Sequence, residues 1–336
     1  GGIAGVQTAN TGYDGGIAMK IVFYGTREYD HYYFDVLAAD PEYGCEIRFL
    51  TANLDADTAP LAQGGDAVCA FVNADCSAPV LEKLAQVGIR CLLLRCAGYN
   101  NVDLAAAQKC GITVLRVPGY SPEAVAEHAM ALAQAANRRI CKAYIKVRNN
   151  NFALDGLLGY NLYGSSAGIV GTGRIGAAMA RICHGFGMTV LAYDQYRNPA
   201  LDGIVRYVEL DELLHRADVI SLHCPLFPET RGIINRETIS KMKDGVIIIN
   251  NSRGPLVVEQ DLADALNSSK VYAAGLDVVS SEPISADNPL LKAKNCLITP
   301  HISWAPKEAR QRIMDMTEEN IKAFIEGAPI NVVNNV

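Results

Sequence analysis

Short apolar runs recur along this chain, and amphipathic stretches separate them. The runs at 20–24, 46–50, 67–71, 90–95 and 112–117 read as strands, and the stretch 77–87 between two of them sets Val80, Leu81, Leu84 and Val87 at helical spacing. Alternation of this kind implies a parallel sheet with helices on both faces. Then Pro118-Gly119-Tyr120 breaks the pattern. Ser121-Pro122-Glu123 is a strong helix start, with a serine cap, a proline where no amide bond is lost, and an acid at the positive helix end. That helix is expected to run unbroken to about Arg148 and to bridge two lobes, its Ala129, Ala133 and Ala136 forming a packing face. A second alternating series follows, with strands expected at 166–171, 188–193, 218–222, 245–250, 273–278 and 296–299. Helices are expected at 174–185, 209–216, 259–268 and 306–326, the last ending before Gly327 and Pro329.

Composition narrows the partners. The 336 residues carry a net charge of −6 with the basic residues scattered, so no footprint for nucleic acid or an anionic membrane surface is visible. No apolar stretch approaches the ~20 residues of a membrane span. The 10 cysteines form no C-x-x-C pair and several sit in apolar runs, which reads as reduced core thiols and a cytoplasmic location. His31, His128, His184 and His215 have no partner at metal-ligand spacing, so no metal is expected and these residues are given background roles. Residues 1–18 are Gly-rich and unlike a signal peptide; Met19-Lys20 resembles a natural start, and the preceding segment reads as an expression-derived or disordered extension.

The expected strand 166–171 runs into Gly171-Thr172-Gly173-Arg174-Ile175-Gly176, which opens a helix. In such a turn the first glycine permits the tight bend, the second lets backbone approach a pyrophosphate, and the third allows close helix–strand packing. The helix N-terminus adds free amides and a positive dipole end. Asp194 closes the next strand, placed to accept the ribose hydroxyls and repel a 2′-phosphate, which favours NAD over NADP. Arg197 works against that preference, since it could accommodate the phosphate.

Three charged groups each follow an apolar strand, where ligands of open α/β sheets bind: Arg253 after 245–250, Glu282 after 273–278 and His301 after 296–299. A guanidinium fork matches the carboxylate of a 2-keto acid. A histidine is the natural acid/base for a carbonyl–alcohol pair, and a neighbouring glutamate would hold its ring. Taken singly, each also has an ordinary reading: a surface ion pair, a solvated loop acid, a structural histidine. Their joint placement favours the functional one.

The motifs then resemble those of the D-isomer-specific 2-hydroxyacid dehydrogenase family over about residues 20–333. Asn250-Asn251-Ser252-Arg253-Gly254 is similar to its substrate-arginine motif, Leu276-Asp277-Val278 followed by Glu282-Pro283 to its acid motif, and Thr299-Pro300-His301 to its histidine motif. The segment from Ser221 through Cys224 and Pro225 to Leu226, with Thr230, resembles the loop lining the nicotinamide. Arg95 to Asp103 resembles the substrate loop, in which the amides around Ala97 and Gly98 grip the carboxylate and Tyr99 either touches substrate or packs. The resemblance implies two doubly wound lobes with parallel sheets, Rossmann-like and flavodoxin-like: a substrate lobe from 19–120 plus 305–336, and a dinucleotide lobe, 121–304, inserted into it. It further implies NAD, with Gly171, Gly173, Arg174, Ile175, Gly176, Asp194, Cys224, Pro225, Thr230, Ser252 and Asp277 around the cofactor, and a homodimer. Asp277 would tune either the nicotinamide carboxamide or the His–Glu pair.

Two signals disagree on substrate. The 95–103 loop and the 151–159 segment resemble D-lactate dehydrogenases, whereas His301-Ile302-Ser303-Trp304-Ala305-Pro306 and the 308–312 run resemble glycerate dehydrogenases. Hydroxypyruvate is the substrate expected, with pyruvate or a bulkier keto acid as the alternative. Trp304 is expected either over the far end of the substrate, its N–H meeting a hydroxyl if turned inward, or packed at the hinge. A different class stays open as well, since relatives of the fold act as NAD-sensing transcriptional corepressors.

Overall fold

The computed structural model describes residues 19–41 and 43–334; the expectation for residues 1–18 lies outside them. The chain divides into two compact units, one made of the residues up to Tyr120 together with those from Gln311 onward, the other of Ser121–Arg310. The second is thus inserted into the first.

In the first unit the elements run β1 (Met19–Phe23), α1 (Glu28–Ala39), β2 (Cys45–Phe49), β3 (Ala67–Ala70), α2 (Ala78–Gln86), β4 (Cys91–Leu94), α3 (Leu104–Lys109) and β5 (Thr113–Leu115). All strands pair in parallel in the order β2-β1-β3-β4-β5, the flavodoxin-type winding. The C-terminal segment covers the β5 edge, where exposed backbone groups would otherwise template pairing with another chain. Val333 donates its N–H to Val114 O at 2.9 Å, and the Asn334 side chain accepts from Val114 N and donates to Ile112 O, both at 2.8 Å. Arg95, at the end of β4, is buried. Its guanidinium lies 3.6 Å from the Asp30 carboxylate, donates to Tyr24 O at 3.0 Å and stacks near Phe23 and Phe71. Breaking such a pair from one side leaves an uncompensated buried charge.

The second unit runs α4 (Pro122–Asn137), α5 (Ile140–Arg148), β6 (Ser166–Val170), α6 (Arg174–Gly185), β7 (Thr189–Tyr193), β8 (Val205–Tyr207), α7 (Leu210–Arg216), β9 (Val219–Leu222), α8 (Arg236–Ser240), β10 (Val246–Asn250), α9 (Glu259–Asn267), β11 (Val271–Leu276) and β12 (Cys296–Ile298). The helix α10 (Lys307–Ile325) carries the chain back into the first unit. The strand order β12-β11-β10-β9-β6-β7-β8 is the dinucleotide-fold winding plus one outer strand, and it reverses between β6 and β9. One apolar layer lies under α7 and α9; the other is built from the small residues of α4 and α6, including Ala126, Ala129, Ala133, Ala177 and Ala180. A Cβ on Gly275 of β11 would come within 2.9 Å of Leu132 Cβ, so glycine there lets α4 lie close on the sheet.

Each expected strand is present, its ends shifted by one or two residues. The expected single helix to Arg148 is not. It breaks at Arg138–Arg139, where Arg139 takes φ +55° and sits 4.1 Å from the Tyr272 ring centroid. The fully buried Asn137 binds the Tyr160 backbone in both directions at 2.9 Å, which anchors the end of α4 to another segment. Both halves lie within the second unit. The three-residue β8 was not expected; it is too short to show a period.

Candidate active site

The three charged candidates, Arg253, Glu282 and His301, follow three neighbouring strands, β10, β11 and β12. After β10 the Asn250 side chain folds the loop on itself: its amide donates to Arg253 O at 2.9 Å and its oxygen accepts from Ser252 N at 3.0 Å. Ser252 Oγ donates to Cys224 O at 2.7 Å, tying this loop to the one after β9. Gly254 explains why Arg253 is followed by glycine. A Cβ there would fall 2.0 Å from the Val279 carbonyl, so the Arg253 loop and the loop after β11 touch backbone to backbone.

Glu282 lies on that second loop, with Oε1 accepting from Val279 N at 3.3 Å. Glu259 of α9 steadies the same loop by accepting from Ser280 N and Oγ, both at 2.7 Å, and from Asn288 at 3.0 Å. The other Glu282 oxygen meets His301 Nδ1 at 2.7 Å, and both side chains stay about a quarter exposed (26% and 28%). This bond engages Nδ1 and not the opposite ring nitrogen, Nε2. His301 itself has φ +54°, a left-handed conformation costly for a non-glycine residue.

Asp277 holds it there. Its carboxylate is buried and accepts Thr299 Oγ1 at 2.6 Å, Ile302 N at 2.9 Å, Ser303 N at 2.9 Å and Ser303 Oγ at 2.6 Å. Burial alone would raise its pKa; the donors His128, Ser303, Thr299 and Ile302 outweigh burial and bring it down to about 2. In this structure both oxygens therefore serve the histidine loop. Trp304 supports the same turn, its indole N–H donating to His301 O at 2.8 Å. That corrects the idea of a tryptophan N–H turned toward a substrate hydroxyl, because the single donor is already engaged.

His128, given a background role from the sequence, joins this network. Its Nε2 lies 3.0 Å from Thr299 Oγ1 and 3.5 Å from Asp277 Oδ1. Thr299 gives its only proton to Asp277, so it accepts from His128 and the Nε2–H tautomer follows. The readable signal was the stripe Ala124, His128, Leu132, whose four-residue spacing puts the histidine on the helix face turned to the sheet.

The glycine turn after β6 has the shape a dinucleotide requires. Gly171 has φ +93°, and a Cβ on it would sit 2.7 Å from the Cys224 N and His223 backbone; a Cβ on Gly176 would meet Gly171 O at 1.9 Å. Around Gly173 there is open space, where backbone can approach a pyrophosphate. Gly173 and Arg174 are exposed at the start of α6 with no side chain capping it, while Ile175 is half-buried. Asp194 accepts Thr172 N at 2.6 Å and Tyr196 N at 3.1 Å, so it shapes the turn. Tyr207 of β8, missed in the sequence, donates to Thr172 Oγ1 at 2.9 Å, and Arg197 lies over its ring at 5.6 Å. These residues fit NAD, the group the turn is built for.

In the loop after β9, Thr230 Oγ1 donates to Pro225 O at 2.7 Å and accepts Phe227 N at 2.8 Å. Its hydroxyl thus shapes the loop. Burial pushes the Cys224 thiol up to about 11, and it drives His223, whose Nε2 meets Ser221 Oγ at 2.8 Å, down to about 4. Ala97, Gly98 and Tyr99 belong to the first unit, beyond β4, all half-buried. Arg116 donates to Ala97 O at 3.1 Å and lies over the Tyr99 ring at 5.2 Å.

Comparison with known proteins points one way. Residues 130–303 match the family described as "D-isomer specific 2-hydroxyacid dehydrogenase, NAD binding domain". The chain is 46% identical over 323 residues to a 2-hydroxyacid dehydrogenase homolog of Haemophilus influenzae, covering 92% of this chain and 97% of that protein. It is 54% identical over 259 residues to a hydroxypyruvate reductase of Blautia hydrogenotrophica, 73% of this chain and 79% of that one. The apo-structure of D-lactate dehydrogenase from Escherichia coli superposes with a TM-score of 0.86 at 43% identity, covering 94% of this chain and 100% of that one.

Proposed function

Because this chain belongs to the D-isomer specific 2-hydroxyacid dehydrogenase family and is an NAD-dependent enzyme, we propose that it reduces a small 2-keto acid to the D-2-hydroxy acid, with hydroxypyruvate and D-glycerate as its pair. The observation that carries the reaction is the 2.7 Å pairing of His301 with Glu282 on the strand end next to the Arg253 loop. NADH, when bound, supplies the hydride for the carbonyl carbon. His301 Nε2 gives a proton to the carbonyl oxygen, while Glu282 accepts the Nδ1–H and keeps the ring oriented. Arg253 pairs with the substrate carboxylate. In the oxidative direction the same imidazole takes the proton back.

The 54% identity to a hydroxypyruvate reductase supports the choice of substrate, together with the His301–Pro306 segment. Likeness to D-lactate dehydrogenase over 94% of the chain supports pyruvate as the second reading. Steady-state NADH oxidation with hydroxypyruvate, pyruvate and a bulkier branched keto acid decides between them. Hydroxypyruvate should give the highest kcat/KM; a preference for either of the others overturns the assignment. No turnover with any keto acid would turn attention to a cofactor-sensing role.

The same reading places the enzyme in the cytoplasm, supported by ten free cysteines. It also makes it a homodimer. Helix α5 buries none of its residues, and with the segment after it exposes Ile140, Tyr144, Ile145, Phe152, Leu154 and Leu158 at 55–86%, apolar surface that a second copy of the chain would cover. Light scattering on the parent and on Phe152→Glu tests this, with a monomeric parent excluding it. Among the described residues no helix is long and apolar enough to cross a membrane.

A further inference from the structure

We propose that Asn251 and Ser303 are positioning residues, forming a buried strut that fixes the arginine-bearing and histidine-bearing loops relative to each other. This rests on the roles given above to Arg253 and His301. Asn251 Nδ2 donates to Val125 O of α4 at 2.7 Å and to Ser303 Oγ at 3.2 Å. Ser303 Oγ in turn donates to Asp277 Oδ2 at 2.6 Å. The chain of bonds therefore runs from α4, through the residue two before Arg253, to the residue two after His301, and ends on the carboxylate that holds the His301 turn.

Every donor in this path is used. Both protons of the Asn251 amide are placed, and the Ser303 hydroxyl gives its one proton and accepts one. Asn251, Ser303 and Asp277 are 6%, 4% and 1% exposed, so water cannot replace a lost bond and the linkage is stiff. Asn251 Oδ1 is buried with no hydrogen-bond partner. A buried acceptor left unpaired lowers stability, so an apolar side chain of the same size would suit the core better. What the amide supplies is its two donors, which reach two different elements. Catalysis is where such stiffness tells, since proton donor and carboxylate clamp must meet one small substrate together, and a displacement of about 1 Å can cost up to ~100-fold in rate.

The experiment compares Asn251→Leu, Ser303→Ala, Ser303→Thr and the double variant Asn251→Leu/Ser303→Ala in the full-length enzyme. Either single loss should lower kcat with the preferred keto acid about tenfold, with NADH affinity, read by fluorescence, unchanged within about twofold. Because both residues act through one linkage, the double variant should be no worse than about twofold below the poorer single. Ser303→Thr keeps the hydroxyl and should retain kcat within about threefold of the parent. Asn251→Leu fills its site and reports from the other end of the strut if Ser303→Ala does not fold. Parental kcat in both single variants, multiplying losses, or a loss of NADH affinity matching the loss of kcat overturns the proposal. His301→Gln is run beside them. If it retains parental activity, the underlying assignment of His301 fails; if it is inactive while the strut variants are not, only the strut fails.

Discussion

His301 Nδ1 sits 2.7 Å from Glu282 Oε2, and the residue that offers this ring to its partner is itself held at φ +54°. The imidazole is thus fixed at both ends, at the ring by a carboxylate and at the backbone by Asp277 and Trp304. Glu282→Gln keeps the shape but removes the charge that stabilises a protonated ring. Its kcat for keto-acid reduction at neutral pH should fall at least tenfold, and that of His301→Gln by about 10²–10⁴-fold. Single-turnover NADH oxidation checks both; a Glu282→Gln enzyme as fast as the parent would dissociate the pair.

Arg253→Ala should lose about 2–5 kcal/mol of transition-state binding while leaving NADH affinity nearly intact. Arg253→Lys should recover only part, since a lysine ammonium cannot form the two parallel bonds of a guanidinium fork. The readout is kcat/KM for the preferred keto acid beside an NADH titration. Equal losses in both measurements would make the arginine a structural residue.

Gly176→Ala puts a methyl where 1.9 Å separates it from Gly171 O. Helix α6 must move away from the strand end, so NADH binding should weaken at least tenfold and the melting temperature should drop. Gly173→Ala, whose Cβ meets open space, should leave the melting temperature unchanged and affect cofactor binding alone. Calorimetry with and without NADH separates the two.

NADH should be preferred over NADPH, because the Asp194 carboxylate, held on the glycine turn by Thr172 N, would repel a 2′-phosphate. Asp194→Ser should narrow that preference, with Arg197 then free of a competing negative charge. Kinetics with both cofactors at one keto-acid concentration measure the ratio, and an unchanged ratio in the variant would exclude Asp194 as the discriminator.

Stability should fall on acidification through the window set by His223. Burial lowers its pKa to about 4 in the folded chain, against about 6.5 when unfolded, so the unfolded chain binds the extra proton between those values. The neutral ring's contribution is complete above about pH 6.5 and is lost as the pH falls toward 4. The melting temperature of His223→Asn should therefore decline less than the parent's between pH 6.5 and 4.5. Parallel curves would show that the ring is hydrated in solution.

Much of this protein could be read from local pattern, because the forces involved are local. Apolar runs alternating with amphipathic stretches specify strands, helices and a parallel sheet, and the turn from Gly171 to Gly176 carries its own steric logic. Arg253, Glu282 and His301 stood out as candidates because each lies on a loop that follows a strand, where the α/β architecture exposes residues to ligand. What tertiary structure alone decided lies in contacts between segments far apart in the chain. The helix beginning at Pro122 stops at Asn137 because that amide finds Tyr160, not because its own sequence ends it. Histidine 128 looks like background until Gly275 lets α4 settle on β11 and brings the ring to Thr299 and Asp277. Trp304 turns its N–H to the backbone of His301, and Asn251 meets Ser303, through partners that spacing along the chain cannot reveal. Hydrophobic period and turn chemistry are written residue by residue, whereas the partner of a buried polar group is chosen only when the sheet closes over it.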